Sequence, residues 1–373
     1  MSDNGVKMHI LHITMRWGDG RGGVKQFILN ASNSLGSELY EQSVLSVGPV
    51  TGGDLGLDLH GPVVKRGDPL SLVLAAPRLE RTIRRLAPDA VHIHCNNGLG
   101  LLYAAAARRA GCVVRVCHSH NTAVEDGCVV KRITSSMLKR CFSSAPTQRV
   151  ACSELAGAYL FGGQQFTVVR NGIDVERFAF DPDARRDIRA QYGIDDNAMV
   201  LGHIGSGIPV KNAGFIIDLV HVLVGRGKDV HALLVGSGEE IDALHNRAID
   251  GGVSERVHFA GTVTDSWRYY SAMDAFLLPS FYEGLPISLI EAQANGLPCV
   301  ASDAVSAESN AAGLVNFLSL ASPLQEWGIK VLKAASRGAS RSAEDSHNAQ
   351  HVLSQAGFSL ETLRTQLEAL YSS

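Results

Sequence analysis

The first 170 residues alternate short apolar, β-branched runs with stretches of helical period. Strands are predicted at "MHILHIT" (8–14), "QSVLSVG" (42–48), "AVHIHC" (90–95), "CVVRVCHSH" (112–120) and "RVACS" (149–153). Helices are predicted between them, over 23–36, 71–87, 97–110 and 130–142. Strands alternating with helices predict βαβ units and a parallel sheet. Near residue 170 the texture changes: "RNGIDVERFAFDPDARR" carries the turn signal Asn171-Gly172 and then an acidic, Pro-containing segment, which reads as a linker. A second alternation follows, with strands at "AMVLGHIG", "VHALLVG", "RVHFAG", "AFLLPS" and "PCVAS" and helices over 212–226, 239–250, 265–273 and 287–295. Residues 336–350 are polar and weakly patterned, and an amphipathic helix, "SLETLRTQLEALY", closes the chain. The expected fold class is α/β: two Rossmann-like domains over 1–171 and 196–350, a linker over 172–195 and a helical tail over 351–373.

Composition adds limits. The 373 residues are 45% apolar and 19% charged, ordinary for a soluble chain with ample core. The start, "MSDNGVKMHIL", lacks the basic, long-apolar and small-residue regions of a signal peptide, and no run approaches the ~18 apolar residues that span a bilayer. A cytoplasmic location is expected. The seven cysteines form no C-x-x-C pair, so reduced, mostly buried thiols are expected rather than zinc or disulfide staples. Charge is uneven. Residues 1–170 hold 19 Lys and Arg against 12 Asp and Glu, and the rest hold 15 against 25, so a net +7 stands beside a net −10. That asymmetry predicts two domains with different partners.

The loop "GDGRGG" (18–23) follows the first strand and fits G-x-G-x-x-G. A dinucleotide site also needs an acid at the end of the second strand, for the ribose. That strand ends "SVLSVGPV", with Glu38 and Glu41 before it, and Met15-Arg16-Trp17 separate the first strand from the first glycine. NAD or FAD is therefore disfavoured. The glycines still allow close backbone approach, and a helix N-terminus offers amides to a phosphate.

The stretch "PSFYEGLPISLIEAQANGLPCVASD" (279–303) is more specific. Glu283 and Glu291 stand eight residues apart around Gly-Leu-Pro, and Pro286 suits the first turn of a helix. Amides near Gly284 to Ser288 can face an anion, and the carboxylates can bond paired sugar hydroxyls. A solvated helix with two surface glutamates is the alternative. The stretch resembles the E-x7-E signature of retaining family-4 glycosyltransferases, closest to bacterial exopolysaccharide and capsule members. "GGVKQFILN", "AVHIH", "RVCHSHNT", "ACSELA", "VVRNGIDVERFAF", "GHIG…VKN", "LLVGSGE", "VHFAGTV" and "AFLLPSFYEGLP" follow that family's order over nearly the whole chain.

The resemblance implies a GT-B fold, two domains facing a cleft with the last helix returning to the N-terminal one. It implies that Glu291 holds the donor ribose and Glu283 the transferred sugar. Lys211 in "PVKN" would neutralise the donor diphosphate, with amides of Gly284, Leu285, Ile287 and Ser288 beside it. Gly22 and Gly23 would let the N-terminal loop approach that diphosphate, and Gly261-Thr262-Val263 would hold the base. His118 would bond the transferred sugar, with His120 as the adjacent rival; His92 and His94 read as strand residues. One departure matters. The family usually has an arginine five residues before the lysine, and Ser206 stands there. Arg16 or Arg21 can substitute, or donor binding is weak; Lys25, where the family often has an acid, adds a further charge. No metal or other cofactor is implied, and "DPD" (181–183), a D-x-D match in the predicted linker, reads as chance.

The implied reaction moves a sugar from a nucleotide diphosphate sugar, expected to be a UDP-sugar, to a saccharide acceptor with retained configuration. "RLERTIRRL" (78–86) and "KRITSSMLKR" (131–140) are basic and helical in pattern, so the N-terminal half is expected to meet a lipid-diphosphate-linked acceptor at an anionic membrane face. A solvated helix face explains each alone equally well. Nucleic acid is not expected, since no aromatic-interleaved basic motif is present. Competing classes are a weakly catalytic nucleotide-sugar-binding subunit, a nucleotide-sugar epimerase and, on the glycine loop alone, an oxidoreductase.

Overall fold

The computed structural model describes residues 7–18, 23–51, 53, 56–65, 68–121 and 129–372. They form two units, each built on one parallel sheet. Unit 1 takes the described residues through Gly172 and then Leu360 onward; unit 2 is Ile173–Ser359.

Unit 1 holds β1 (Met8–Thr14), β2 (Tyr40–Ser46), β3 (Asp58–His60), β4 (Ala90–Cys95), β5 (Val114–Ser119), β6 (Gln148–Ala151) and β7 (Thr167–Val168), in the order β3-β2-β1-β4-β5-β6-β7. Every residue of β4 is buried, because helices cover both faces of a parallel sheet. One face packs Leu11, Ile13, Ile93 and Cys117 under the helix Leu99–Ala110. That alanine-rich helix lies so close that a Cβ on Gly100 would fall 1.9 Å from Cys95 Sγ. The other face packs Ile10, Val44 and Val116 under Phe27 of the helix Gly23–Ser34 and Leu363, Leu367 and Tyr371 of the helix Leu360–Tyr371.

Unit 2 holds β8 (Met199–Ile204), β9 (Val230–Val235), β10 (Val257–Gly261), β11 (Ala275–Leu278), β12 (Cys299–Ser302) and β13 (Val315–Leu318), in the order β10-β9-β8-β11-β12-β13. In both units the strand order reverses beside the first strand, between β1 and β4 and between β8 and β11. Ligands of open α/β sheets bind outside the strand C-termini at that reversal.

Three sequence readings differ from the structure. Residues 172–195 are a folded part of unit 2. They include the helix Pro182–Gln191, whose Arg185 and Arg189 each lie 2.7 Å from the buried Asp274 carboxylate. Both arginines, in a segment the sequence reads as a linker, face inward. "DPD" begins this helix: the Asp181 side chain accepts from the amides of Asp183 and Ala184. The weakly patterned 336–350 belongs to the helices Leu324–Ala339 and Ala343–Gln355, the second started by a Ser342–Asp345 capping box. This second helix crosses residue 351 within unit 2, and only the helix Leu360–Tyr371 packs on unit 1.

Candidate active site

The unit 2 site is built at the reversal of its sheet. After β8 the chain makes the turn Pro209–Lys211, closed by Asn212 in the left-handed region at φ 53°. The Asn212 amide donates to the Pro279 carbonyl at 3.1 Å, and the Phe281 amide to the Val210 carbonyl at 2.9 Å. These bonds tie the loop after β8 to the loop after β11. They bring Lys211 Nζ to 2.5 Å from Glu283 Oε1, which also accepts from Ser280 Oγ at 2.9 Å. Both partners are mostly shielded, 17% and 14% exposed, so the pair is screened less than a surface salt bridge.

The helix Ile287–Ala294 starts directly after this loop. Pro286 stands at its N-cap, one place before the predicted first turn, and no side chain caps it. The first-turn amides of a helix have no intrahelical acceptor, so Ile287 and Ser288 present theirs beside Gly284 and Leu285. Glu291 lies one turn further and is buried. Tyr270 Oη donates to Glu291 Oε2 at 2.7 Å and to the Ser288 carbonyl at 3.1 Å, fixing carboxylate and helix start together. Arg341 holds Tyr270 in turn: its guanidinium donates to the carbonyls of Tyr270, Ser271 and Met273 and to Asn295 Oδ1. Sequence reading missed both Tyr270 and Arg341, since neither lies in the quoted motif.

His203, at the end of β8, was missed as well. It is buried, with Nδ1 2.9 Å from the Leu277 carbonyl, and a Cβ on Gly205 would come 2.9 Å from its Nε2. Burial lowers its pKa to about 4; the Leu277 carbonyl and Glu283 oppose this and Lys211 adds to it. The loops after β8 and β9 are zipped by the Gly207 amide on the Ser237 carbonyl at 2.9 Å. Gly236 sits at φ 136° where a Cβ would strike the Gly205 carbonyl oxygen at 1.8 Å, so only glycine fits. Ser206 lies in this zipped loop, its carbonyl bonded to the Ile208 amide at 2.9 Å. Thr262, next to Val263, shares a 2.8 Å hydrogen bond with Ser237.

Of the remaining predicted positions, Gly22 is outside the described residues, as is Arg21, while Gly23 and His118 lie in unit 1. Gly23 begins the helix Gly23–Ser34 and is exposed, and Lys25 Nζ donates to the Gly18 carbonyl at 2.7 Å. His118 is fully buried on β5, its Nδ1 3.1 Å from His92 Nε2. Burial holds its imidazole well below the usual pKa, with the neighbouring histidines adding to the effect and the Val169 backbone opposing it. The ring that reaches the surface is His120, just past the end of β5.

Two Rossmann-like units, the second bearing paired glutamates, a lysine and an open helix N-terminus, define a glycosyltransferase of the GT-B fold. Residues 184–312 match the family described as glycosyl transferases group 1, and residues 21–177 match glycosyltransferase family 4. EpsF of Bacillus subtilis (strain 168), named as a glycosyltransferase, is 32% identical over 357 residues, covering 90% of each chain. The chain therefore belongs to glycosyltransferase family 4. A UDP-Gal:α-D-GlcNAc-diphosphoundecaprenol α-1,3-galactosyltransferase of Escherichia coli is 29% identical over 60% of each chain. Among solved structures, Anabaena Alr3699/HepE in complex with UDP and glucose superposes with TM-score 0.75 at 21% identity, covering 98% of this chain and all of that one.

Proposed function

We propose that the protein transfers a hexosyl group from a UDP-sugar to a saccharide carried on a lipid diphosphate, with retained configuration, in the making of a cell-surface polysaccharide. The observation that carries this is the Lys211–Glu283 pair beside the uncapped helix Ile287–Ala294. In this reading the donor diphosphate draws Lys211 away from Glu283 and lies on the amides of Gly284, Leu285, Ile287 and Ser288, where cation and helix dipole both favour it. Glu283, still held by Ser280, accepts from hydroxyls of the transferred sugar. Glu291, aligned by Tyr270, accepts from the ribose. The anomeric C–O bond to the diphosphate breaks as a C–O bond to the acceptor hydroxyl forms on the same face, and the leaving diphosphate takes the acceptor proton. Lys211 and the amides stabilise the charge that develops on the leaving group; no metal ion or other cofactor enters this scheme.

Unit 1 serves the acceptor side, and His120 takes the sugar-bonding role that the resemblance gives to His118, because His118 is sealed in the sheet. The UDP bound to HepE and the UDP-Gal of the Escherichia coli relative support the donor class; that relative's diphosphoundecaprenol supports the acceptor class. The helix Val129–Phe142 supports a lipid surface. Val129, Ile133 and Met137, spaced by four, are 64%, 56% and 63% exposed, with exposed Arg132 and Arg140 on the same face. An apolar ridge set with cations suits anionic lipid. No helix among the described residues is long and apolar enough to cross a membrane.

The test is thermal unfolding with UDP, GDP or ADP, on wild type and Glu291→Ala, followed by turnover of UDP-hexoses with a lipid-linked acceptor. UDP at about 100 times its Kd adds roughly 2.7 kcal/mol of stability, raising the melting temperature, and the variant loses that rise. Stabilisation by GDP alone replaces the base. No response to any nucleotide overturns the reading.

A further inference from the structure

Five histidines from three adjacent strands meet on one face of the unit 1 sheet. His92 and His94 are two apart on β4, and a strand's period of two puts both on one face. His118 and His120 repeat that spacing at β5. Register places His118 opposite His94, and His12 of β1 opposite His92. Phe27 lies edge-on over the cluster, 4.7 Å from the His118 ring. Rings of His94, His118 and His120 each offer a nitrogen within 4.8 Å of the others.

We propose that His94, His118 and His120 form a three-imidazole site for a zinc-class divalent ion. An H-x-H pair on one strand and a third histidine across from it is a trigonal donor set. At Zn–N distances of about 2.0–2.1 Å the donors stand roughly 3.4 Å apart, and at present all three lie within 4.8 Å of one another. The hydrogen bonds select the ligating atoms. His94 Nδ1 and His120 Nε2 face each other at 2.9 Å, and His118 Nε2 is fully buried and makes no hydrogen bond of good geometry, its ring lying beside the Val169 backbone. If these three nitrogens ligate, the protons on the second nitrogens of His94 and His118 each have an acceptor. His94 Nε2–H donates to His12 Nδ1 at 3.1 Å, and His12 Nε2–H donates to Gln42 Oε1 at 3.0 Å. His118 Nδ1–H donates to His92 Nε2 at 3.1 Å, and His92 Nδ1–H donates to Tyr371 Oη at 2.6 Å. Each chain is an outer shell that fixes a ligand's tautomer and orientation, as metal-bound histidines require. His120 is the partly exposed member of the three. His120 is also the sugar-bonding residue of the scheme above, so an ion and a sugar would compete for its ring; the metal titration is read without donor or turnover, so its failure is distinguishable from failure of that scheme.

The experiment is a Co²⁺ titration of the untagged full chain, read by visible absorption and reversed with Zn²⁺. One equivalent with the intense band of a four-coordinate ion is expected. His94→Ala and His120→Ala each weaken binding at least about tenfold, and Tyr371→Phe, which only touches an outer shell, also weakens it about tenfold. His231→Ala, in the unrelated His231–His258 pair of unit 2, leaves binding unchanged. A weak six-coordinate spectrum, or affinity unaltered in His120→Ala, overturns the site. Should the deeply buried His94→Ala not fold, His120→Ala and Tyr371→Phe decide.

Discussion

The two units carry the same sheet reversal, yet they fill it with opposite chemistry. Unit 2 sets charges there: Lys211 on Glu283, with Glu291 held nearby by a neutral tyrosine. Unit 1 sets imidazoles there, and burial holds His12, His92, His94, His118 and His120 in the neutral form. A charged pair can exchange partners with an incoming dianion, because Lys211 trades one counter-charge for another while Glu283 keeps its hydrogen bond from Ser280. A sheet of neutral rings offers lone pairs and N–H groups without net charge, which suits hydroxyls or a metal ion and not a phosphate. One topology thus provides an anion site and a neutral site, and the side chains at the strand ends decide which.

The sharpest way to break this contrast is to remove the charge from unit 2. Lys211→Ala leaves Glu283 with Ser280 alone and the diphosphate without its cation. A loss of about 10²–10³ in kcat/KM is expected, the size seen when one donor to a developing charge is removed. Isothermal titration with UDP should show binding weakened in parallel. Unaltered kcat/KM would mean that another cation serves the donor.

Next, the two H-x-H members of β5 separate function from packing. His120→Asn should lower turnover by roughly 10²-fold, the size expected when one positioned hydrogen-bonding group at a developing charge is lost, and leave melting nearly unchanged. His118→Asn should do the reverse, since it breaks the bond to His92 inside a close-packed layer. Equal loss of turnover in both with unchanged melting would return the role to His118.

Much of this contrast was legible in the sequence. The alternation of apolar runs gave both sheets, and the Glu-x7-Glu stretch located the unit 2 loop, because glycine, proline and acid occur there in a local order. What stayed hidden depends on long-range contacts. Tyr270 and Arg341 reach the site from sequence-distant helices. Residues 172–195 read as a linker because the acid that Arg185 and Arg189 share, Asp274, lies some 85 residues away. The short edge strands β3 and β7 have too few residues for a period to register. His118 against His120 could not be settled from "HSH", since a strand's period of two gives both rings the same face and only depth distinguishes them.

A smaller effect tests how unit 2 keeps its own buried imidazole neutral. The folded pKa of His203, about 4, lies below the ordinary 6.5, so the unfolded chain binds more protons between those values. Stability is therefore full above about pH 6.5 and lost as pH falls through that window, by about 2 kcal/mol between pH 7 and 5. Hydrogen exchange of β8 and β11 amides at both pH values should show this slope, and His203→Leu should flatten it. An equal slope in the variant would assign the acid sensitivity to other groups.

The smallest effect concerns Ser206, where the family usually has arginine. Its loop is fixed by the Gly207–Ser237 bond, so a new side chain at 206 would extend from a rigid backbone. Ser206→Arg would add a second cation at the anion site and make unit 2 more unlike unit 1. With Lys211 already present, the gain is limited by side-chain ordering and by repulsion between the two cations. A three- to tenfold tighter UDP dissociation constant, about 1 kcal/mol, is expected, with a steeper weakening as salt is raised. Unchanged affinity and salt dependence would mean that a basic residue elsewhere already fills the missing charge, with Arg16 the first to mutate. Weaker binding would show that the serine is fitted to the loop and that this site works with one cation by design.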